Sequence, residues 1–165
     1  MTNWPLQSDL AALHALFGNP DADNNGVADP AWEEAHLNTI VPPYAMNYLG
    51  APVRAVTCNK AIAATLLASL QGILAHYKTQ AAIEAVGLHN YSGCYNFRSK
   101  RLGTSLSQHA YGAAIDLDAA HNAQRGKTHR MPAEAVAIFK ANGATWGGDW
   151  SPAYADPMHF QWART

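Results

Sequence analysis

The sequence predicts a single α+β domain, and three observations support this class. The chain has 165 residues, which at about 150 residues per domain corresponds to one domain over residues 1–165. Helix-type spacing of apolar residues alternates along the chain with short strand-type segments. No internal repeat, low-complexity tract or linker interrupts this order.

The composition excludes several classes of function. Hydrophobic residues make up 48% and charged residues 14% of the chain. So small a charged fraction, against about 25% in typical domains, argues against disorder. The net charge of −1 lacks the basic excess of nucleic-acid-binding proteins, so we expect no nucleic-acid partner. We also expect no signal peptide, because the N-terminus has neither a basic start nor an apolar run.

The helices follow from stripes of apolar residues. Ser8 as the cap predicts a helix over residues 7–17, whose stripe consists of Leu10, Leu13, Leu16 and Phe17. Residues 61–77 are too short and too polar for a membrane span, so we expect a buried helix there. Its stripe consists of Ile62, Leu66, Leu70, Ile73 and Tyr77, with Thr65, Ser69 and His76 opposite. Residues 80–86 continue it or form another helix, and residues 133–141 form a further one.

Two short strands are predicted over residues 37–41 and 53–57. The two cysteines, Cys58 and Cys94, are too few for a disulfide framework and lack a metal-binding spacing. We interpret them as packed thiols, with one disulfide between them as the alternative.

The loop after the first helix has the composition of a calcium-binding loop. Asp21, Asp23 and Asn25 match its positions one, three and five. The twelfth position, which should carry a bidentate glutamate, is Trp32, and Glu33 comes one residue late. A polar turn has the same composition, so we prefer that interpretation and keep Ca²⁺ as the alternative.

Two alternating segments in the last seventy residues carry the chemistry. In residues 113–118, Ala113, Ile115 and Leu117 form an apolar face, and Ala114, Asp116 and Asp118 lie opposite. Near the C-terminus, Met158, Phe160 and Trp162 form an apolar face, and His159 and Gln161 lie opposite. If the two strands are adjacent, they bring Asp116 and His159 together with His109, which lies at the turn before Gly112.

Two imidazoles and one carboxylate can hold a catalytic zinc ion and leave a position for water. We therefore predict His109, Asp116 and His159 as ligands, with Asp118 as the alternative carboxylate. Hydrolysis also needs a proton acceptor, for which Asp156 lies close to His159 in the sequence. It also needs a positive group for the developing oxyanion, which Arg98 or Arg101 could supply. The remaining histidines are interpreted as structural or exposed: His14, His36, His76, His89, His121 and His129.

The same region resembles the zinc-dependent peptidoglycan peptidases of the M15 type. The resemblance covers residues 94–162 and is strongest in S-x-H-x-x-G-x-A-x-D, which begins at Ser107, and in D-P-M-H, which begins at Asp156. It implies a hedgehog- or DD-peptidase-like fold with a central antiparallel sheet. It also implies one zinc ion on His109, Asp116 and His159, with Asp156 as the catalytic acid/base. The family's arginine falls on Arg98, with Arg101 as the alternative.

Several residues near these motifs are candidates for substrate binding. Trp146 and Trp150 could line a groove for a peptide, although each could equally belong to the core. Gln108 and Tyr111, beside His109, are candidate contacts. Ser107 fits a turn or supporting position better than a nucleophile, because no histidine and acid follow in the needed order.

The resemblance implies hydrolysis of an amide bond in bacterial cell-wall peptides. We expect an L-alanyl-D-glutamate endopeptidase of the phage endolysin type, with D-alanyl-D-alanine carboxypeptidase activity as the alternative. A non-catalytic wall-binding zinc domain is the alternative from another class. We expect a monomer, made in the bacterial cytoplasm and reaching the wall through a holin-type pore or dedicated export.

Overall fold

The computed structural model describes residues 3–101 and 103–165, and the fold is α+β as predicted. Five α-helices occur in this part of the chain: α1 Leu10–Phe17, α2 Pro30–His36, α3 Ala63–Tyr77, α4 Gln80–Ala85 and α5 Ala133–Ala141. The strands are β1 Leu37–Ile40, β2 Met46–Tyr48, β3 Ala51–Val53, β4 Val56–Asn59, β5 Tyr91–Gly93, β6 Ala114–Leu117, β7 Thr145–Trp146 and β8 His159–Gln161.

The strands form antiparallel sheets. Strands β1 and β4 pair with each other, as do β2 and β3, and the largest sheet has the order β5-β6-β8-β7. Helix α5 packs on this sheet, where Phe139 stacks on Phe160 with ring centroids 4.2 Å apart. The two predicted alternating segments are therefore the central neighbours β6 and β8 of the largest sheet.

Helix α1 is shorter than predicted. It begins at Leu10, and its cap is Asp9 rather than Ser8, because the Asp9 side chain accepts a hydrogen bond from the Ala12 N–H. Only Leu13 and Phe17 of the predicted stripe are buried. Leu10 and Leu16 are exposed, so the apolar face is narrower than the sequence suggests.

Helix α2 is not predicted by the sequence analysis, and it follows the candidate calcium loop. Asp29 caps it and Pro30 is its first residue, so the segment assigned to the end of a calcium loop is helical. The Asp21 carboxylate accepts hydrogen bonds from loop backbone N–H groups, and Glu33 accepts one from the Tyr95 hydroxyl. No group of three His, Cys, Asp or Glu ligands forms here among the described residues. These hydrogen bonds are those of a polar turn, and Ca²⁺ binding by this loop stays the alternative prediction.

The long helix and the buried thiols agree with prediction. Four residues of the α3 stripe are fully buried, namely Ile62, Leu66, Leu70 and Ile73. Ser69 is also buried, and its hydroxyl donates to the Thr65 carbonyl within the helix. Cys58 and Cys94 are free buried thiols.

The strand predicted over residues 53–57 is wrong as a continuous element. Val53 ends β3, which pairs with β2, whereas Val56 begins β4, which pairs with β1. None of the described helices is both long and apolar enough to span a bilayer.

Candidate metal centre

Strands β6 and β8 place an acid and an imidazole side by side. Asp116 is directly opposite His159 in their antiparallel register, so both side chains leave the same face of the sheet. His109 comes from a 3₁₀ turn over Gln108–Tyr111, which Ser107 caps by accepting a hydrogen bond from the His109 N–H. Gly112 ends this turn with φ +63°, and an added Cβ would lie 2.8 Å from the Asn59 backbone nitrogen. A glycine is therefore required there.

The three predicted ligands meet at one point. His109 Nε2 lies 3.2 Å from Asp116 Oδ2, and His159 Nδ1 lies 2.9 Å from Asp116 Oδ1. The two ring nitrogens are 3.1 Å apart. Within residues 3–101 and 103–165, this is the one group of three His, Cys, Asp or Glu side chains arranged closely enough to hold a metal ion.

Hydrogen bonds on the far sides of the rings fix which nitrogen of each carries hydrogen. His109 Nδ1 lies 2.7 Å from the Cys94 carbonyl oxygen, which can only accept, so this nitrogen is the donor. His159 Nε2 lies 3.0 Å from Gln161 Oε1. The Gln161 amide nitrogen donates to the Ala163 carbonyl, so the amide oxygen faces His159, and His159 Nε2 is also the donor.

As a result, three electron-pair donors face one another. In the neutral form of each ring the inner nitrogen carries a lone pair, and Asp116 supplies a carboxylate beside both rings. Burial raises the pKa of Asp116, but His109 and His159 outweigh this effect and hold the pKa below its ordinary value. Burial lowers the pKa of His159, but Asp116 outweighs this effect and raises it, so the group favours positive charge at its centre. Its two imidazole nitrogens and one carboxylate suit a metal ion with a position left for water.

Asp156 is held beside this group without joining it. Its backbone carbonyl accepts the His159 N–H at 3.0 Å, and its own N–H donates to the Gly147 carbonyl at 2.9 Å. Its Oδ1 is buried and has no hydrogen-bond partner among the described residues. Burial raises the pKa of Asp156 to about 6. A fixed carboxylate with an unused oxygen and a raised pKa is suited to accept and release a proton near neutral pH.

A cavity of about 800 Å³ opens in front of these residues, and both candidate arginines line it. The Arg98 carbonyl accepts the Ser107 N–H at 3.0 Å, which ties Arg98 to the turn that carries His109. Arg101 lies on the same side, and its charge acts to lower the pKa of Asp156. Ser107 and Gln108 also line the cavity.

Two of the candidate substrate contacts, Tyr111 and Trp146, are not among the residues described as lining the cavity. Tyr111 is buried in the core, with its hydroxyl 3.1 Å from His14 Nε2. The Trp146 indole donates to the Pro157 carbonyl at 2.9 Å. Trp150 does line it, with its ring centroid 5.5 Å from that of His159. Of the two candidate tryptophans, Trp150 is therefore the one that faces the cavity.

Asp118, the alternative ligand of the sequence analysis, lies outside the group formed by His109, Asp116 and His159. Asp118 has φ +50°, so the backbone leaves the strand geometry and its side chain no longer follows that of Asp116. The buried carboxylate accepts from Arg130 Nε at 2.8 Å and from Asn90 Nδ2 at 3.1 Å, and it contacts His121 Nδ1 at 2.9 Å. Asp118 therefore anchors the loop after β6 and has no access to the metal centre.

We expect Asp118→Ala to lower the free energy of unfolding by about 3 kcal/mol without loss of metal, because it removes several hydrogen bonds to a buried charge. Urea denaturation and metal analysis of the same preparation measure both quantities. Asp149→Ala is the control, since its bridge to Lys140 is half-exposed and such pairs contribute only about 0–1 kcal/mol. Loss of metal in Asp118→Ala would contradict this assignment.

The sequence analysis does not single out Gln161, whose side-chain amide contacts His159. The alternation of β8 places Gln161 on the same face as His159, and this alternation is the sequence signal that could have identified it. Its partner Gln7 lies far away in the sequence, at a hydrogen-bond distance of 3.4 Å, and no local pattern indicates that pairing.

The His-Asp-His group of this small α+β domain is compatible with a metal site, and the Asp156 carboxylate and a cavity adjoin it. A family model described as D-alanyl-D-alanine carboxypeptidase, of the M15 peptidases, matches residues 101–162. The matched segment contains the three clustered side chains and Asp156, and it supports the resemblance to M15 peptidases. No curated protein and no solved structure gives a significant match.

Proposed function

We propose that the protein is a zinc peptidase that hydrolyses an amide bond in the stem peptides of bacterial peptidoglycan. The observation that carries this proposal is the convergence of three electron-pair donors beside the unpartnered carboxylate of Asp156. The family match to a peptidase over the same residues supports it.

His109 Nε2, His159 Nδ1 and one Asp116 oxygen would hold one zinc ion. Zinc in a site with three protein ligands lowers the pKa of water to about 7 and polarises a carbonyl group. The hydrogen bonds from His109 to Cys94 and from His159 to Gln161 keep both rings oriented for this role.

Asp156 and the arginines complete the proposed mechanism. Asp156 accepts a proton from the attacking water and delivers it to the amide nitrogen as the carbon–nitrogen bond breaks. The products are a carboxylic acid and an amine, and transfer of the remaining water proton gives a carboxylate and an ammonium group. The guanidinium of Arg98 stabilises the negative charge that develops on the carbonyl oxygen. Arg101 is the alternative for this role, because it lines the same cavity.

Within this class we propose L-alanyl-D-glutamate endopeptidase activity. The aspartate at position 156 supports it, since the resemblance is to phage-type enzymes at this point. D-Alanyl-D-alanine carboxypeptidase activity is the second candidate, favoured by the description of the matching family model. A domain that only binds zinc and cell wall has no need of Asp156 or Arg98. We further propose a monomer that reaches the wall by a holin-type pore or dedicated export.

We expect about one zinc ion per chain in protein purified without added metal, and loss of zinc and activity together on treatment with a chelator.

Digestion of purified peptidoglycan distinguishes the two activities. Mass spectrometry of the digest should show new L-alanine carboxyl ends and D-glutamate amino ends, whereas the second candidate would release free D-alanine. A metal-free chain with full hydrolytic activity would overturn the proposal.

A further inference from the structure

We infer that Gln161 is a positioning residue that orients the metal-facing imidazole of His159, and that the N-terminal segment over residues 4–7 holds Gln161 in place. The inference rests on the proposed metal site. It concerns the affinity of that site, so it does not depend on which bond the enzyme cuts.

Gln161 is built into the sheet behind the metal centre. It follows His159 by two residues in β8, so the two side chains share a face. Its partner across the ladder is Ala114, whose methyl group leaves room for the longer side chain. Gln161 is buried, and its Oε1 lies 3.0 Å from His159 Nε2.

The other end of the amide fixes its orientation. Gln161 Nε2 donates to the Ala163 carbonyl at 3.0 Å and reaches Gln7 Oε1 at 3.4 Å. Both partners present oxygen atoms, so the amide nitrogen points toward them and the amide oxygen points toward His159. A leucine here would leave the His159 Nε2–H without an acceptor in a buried site, and an unpaired buried donor is costly.

The two ends of the chain form the support for this amide. Arg164 N–H donates to the Pro5 carbonyl at 2.8 Å, and the Gln7 N–H donates to the Arg164 carbonyl at 2.8 Å. Arg164 Nε also donates to the Trp4 carbonyl at 2.8 Å. Residues near the N-terminus are thereby fixed beside β8, and both Gln7 and Gln161 line the cavity. Residues 4–7, which precede α1, thus support the Gln161 side chain behind the metal centre.

The test compares zinc affinities by competition with a chromophoric chelator. Removing an outer partner of a metal-bound histidine typically lowers metal affinity 10–100-fold, so we expect a loss of this size in Gln161→Leu. Gln161→Glu keeps an acceptor for His159 Nε2–H and should restore most of the lost affinity. Gln124→Leu is the matched control and should bind zinc like the wild type. Gln124 lines the same cavity, and the described side-chain hydrogen bonds of His109, Asp116 and His159 do not include it.

The thermal stability of the metal-free variants is measured as well. A loss of packing lowers this stability, whereas a loss of positioning lowers the zinc affinity and leaves the stability of the metal-free protein nearly unchanged. If Gln161→Leu does not fold, Gln161→Met carries the same comparison. Wild-type affinity in the leucine or methionine variant, or equal losses in the leucine and glutamate variants, would overturn the inference. A wild-type protein that binds zinc but cleaves no wall peptide would refute the proposed function and leave this test intact, whereas a wild type without zinc affinity would overturn both.

Discussion

His159→Ala should abolish both zinc binding and hydrolysis, the largest effect expected of any single substitution. His159 Nδ1 is one of three converging donor atoms, and its loss leaves two protein ligands for an ion that needs three plus a water position. The same result is expected for His109→Ala and Asp116→Ala. Zinc content by elemental analysis and the rate of peptide release from purified walls measure the two effects.

His76→Ala is the matched control for the histidine substitutions. His76 is exposed on α3, so its variant should keep zinc and the full rate. If His159→Ala retained one zinc ion per chain and a normal rate, the assignment of the metal centre would be wrong.

Asp156→Asn should reduce turnover about 10²–10⁴-fold while zinc stays bound, because general acid–base catalysis typically contributes an effect of this size. Asparagine keeps the shape of the side chain and removes its capacity to take a proton. The backbone bonds that place Asp156 between Gly147 and His159 do not involve the side chain, so the local structure should persist. Zinc stoichiometry and turnover on the same preparation provide the measurement.

Asp149→Asn is the control for this substitution. Asp149 also lines the cavity, but its carboxylate is half-exposed and bridges to Lys140, so we expect a nearly normal rate. A nearly normal rate in Asp156→Asn, with zinc bound, would mean that another group accepts the proton. A loss of zinc in Asp156→Asn would instead indicate that this carboxylate supports the ligands.

The sequence by itself determined the elements whose evidence is local. The period-two alternation around Asp116 and His159 indicates which side chains share a face, because successive residues of a strand point to opposite sides. The α3 stripe and the bounds of α5 follow from helical spacing in the same way. The residues that meet at the metal centre could therefore be named before their distances were known.

Only the tertiary structure decided which of those faces meets which neighbour. Tyr111 lies beside His109 in the sequence, yet it packs in the core against Phe17 and His14. The positive φ of Asp118 removes it from the metal-facing side although the alternation includes it. The support of His159 by Gln161 and Gln7 joins residues at opposite ends of the chain. Local patterns specify the direction of a side chain, whereas its contacts depend on packing between segments far apart in the sequence.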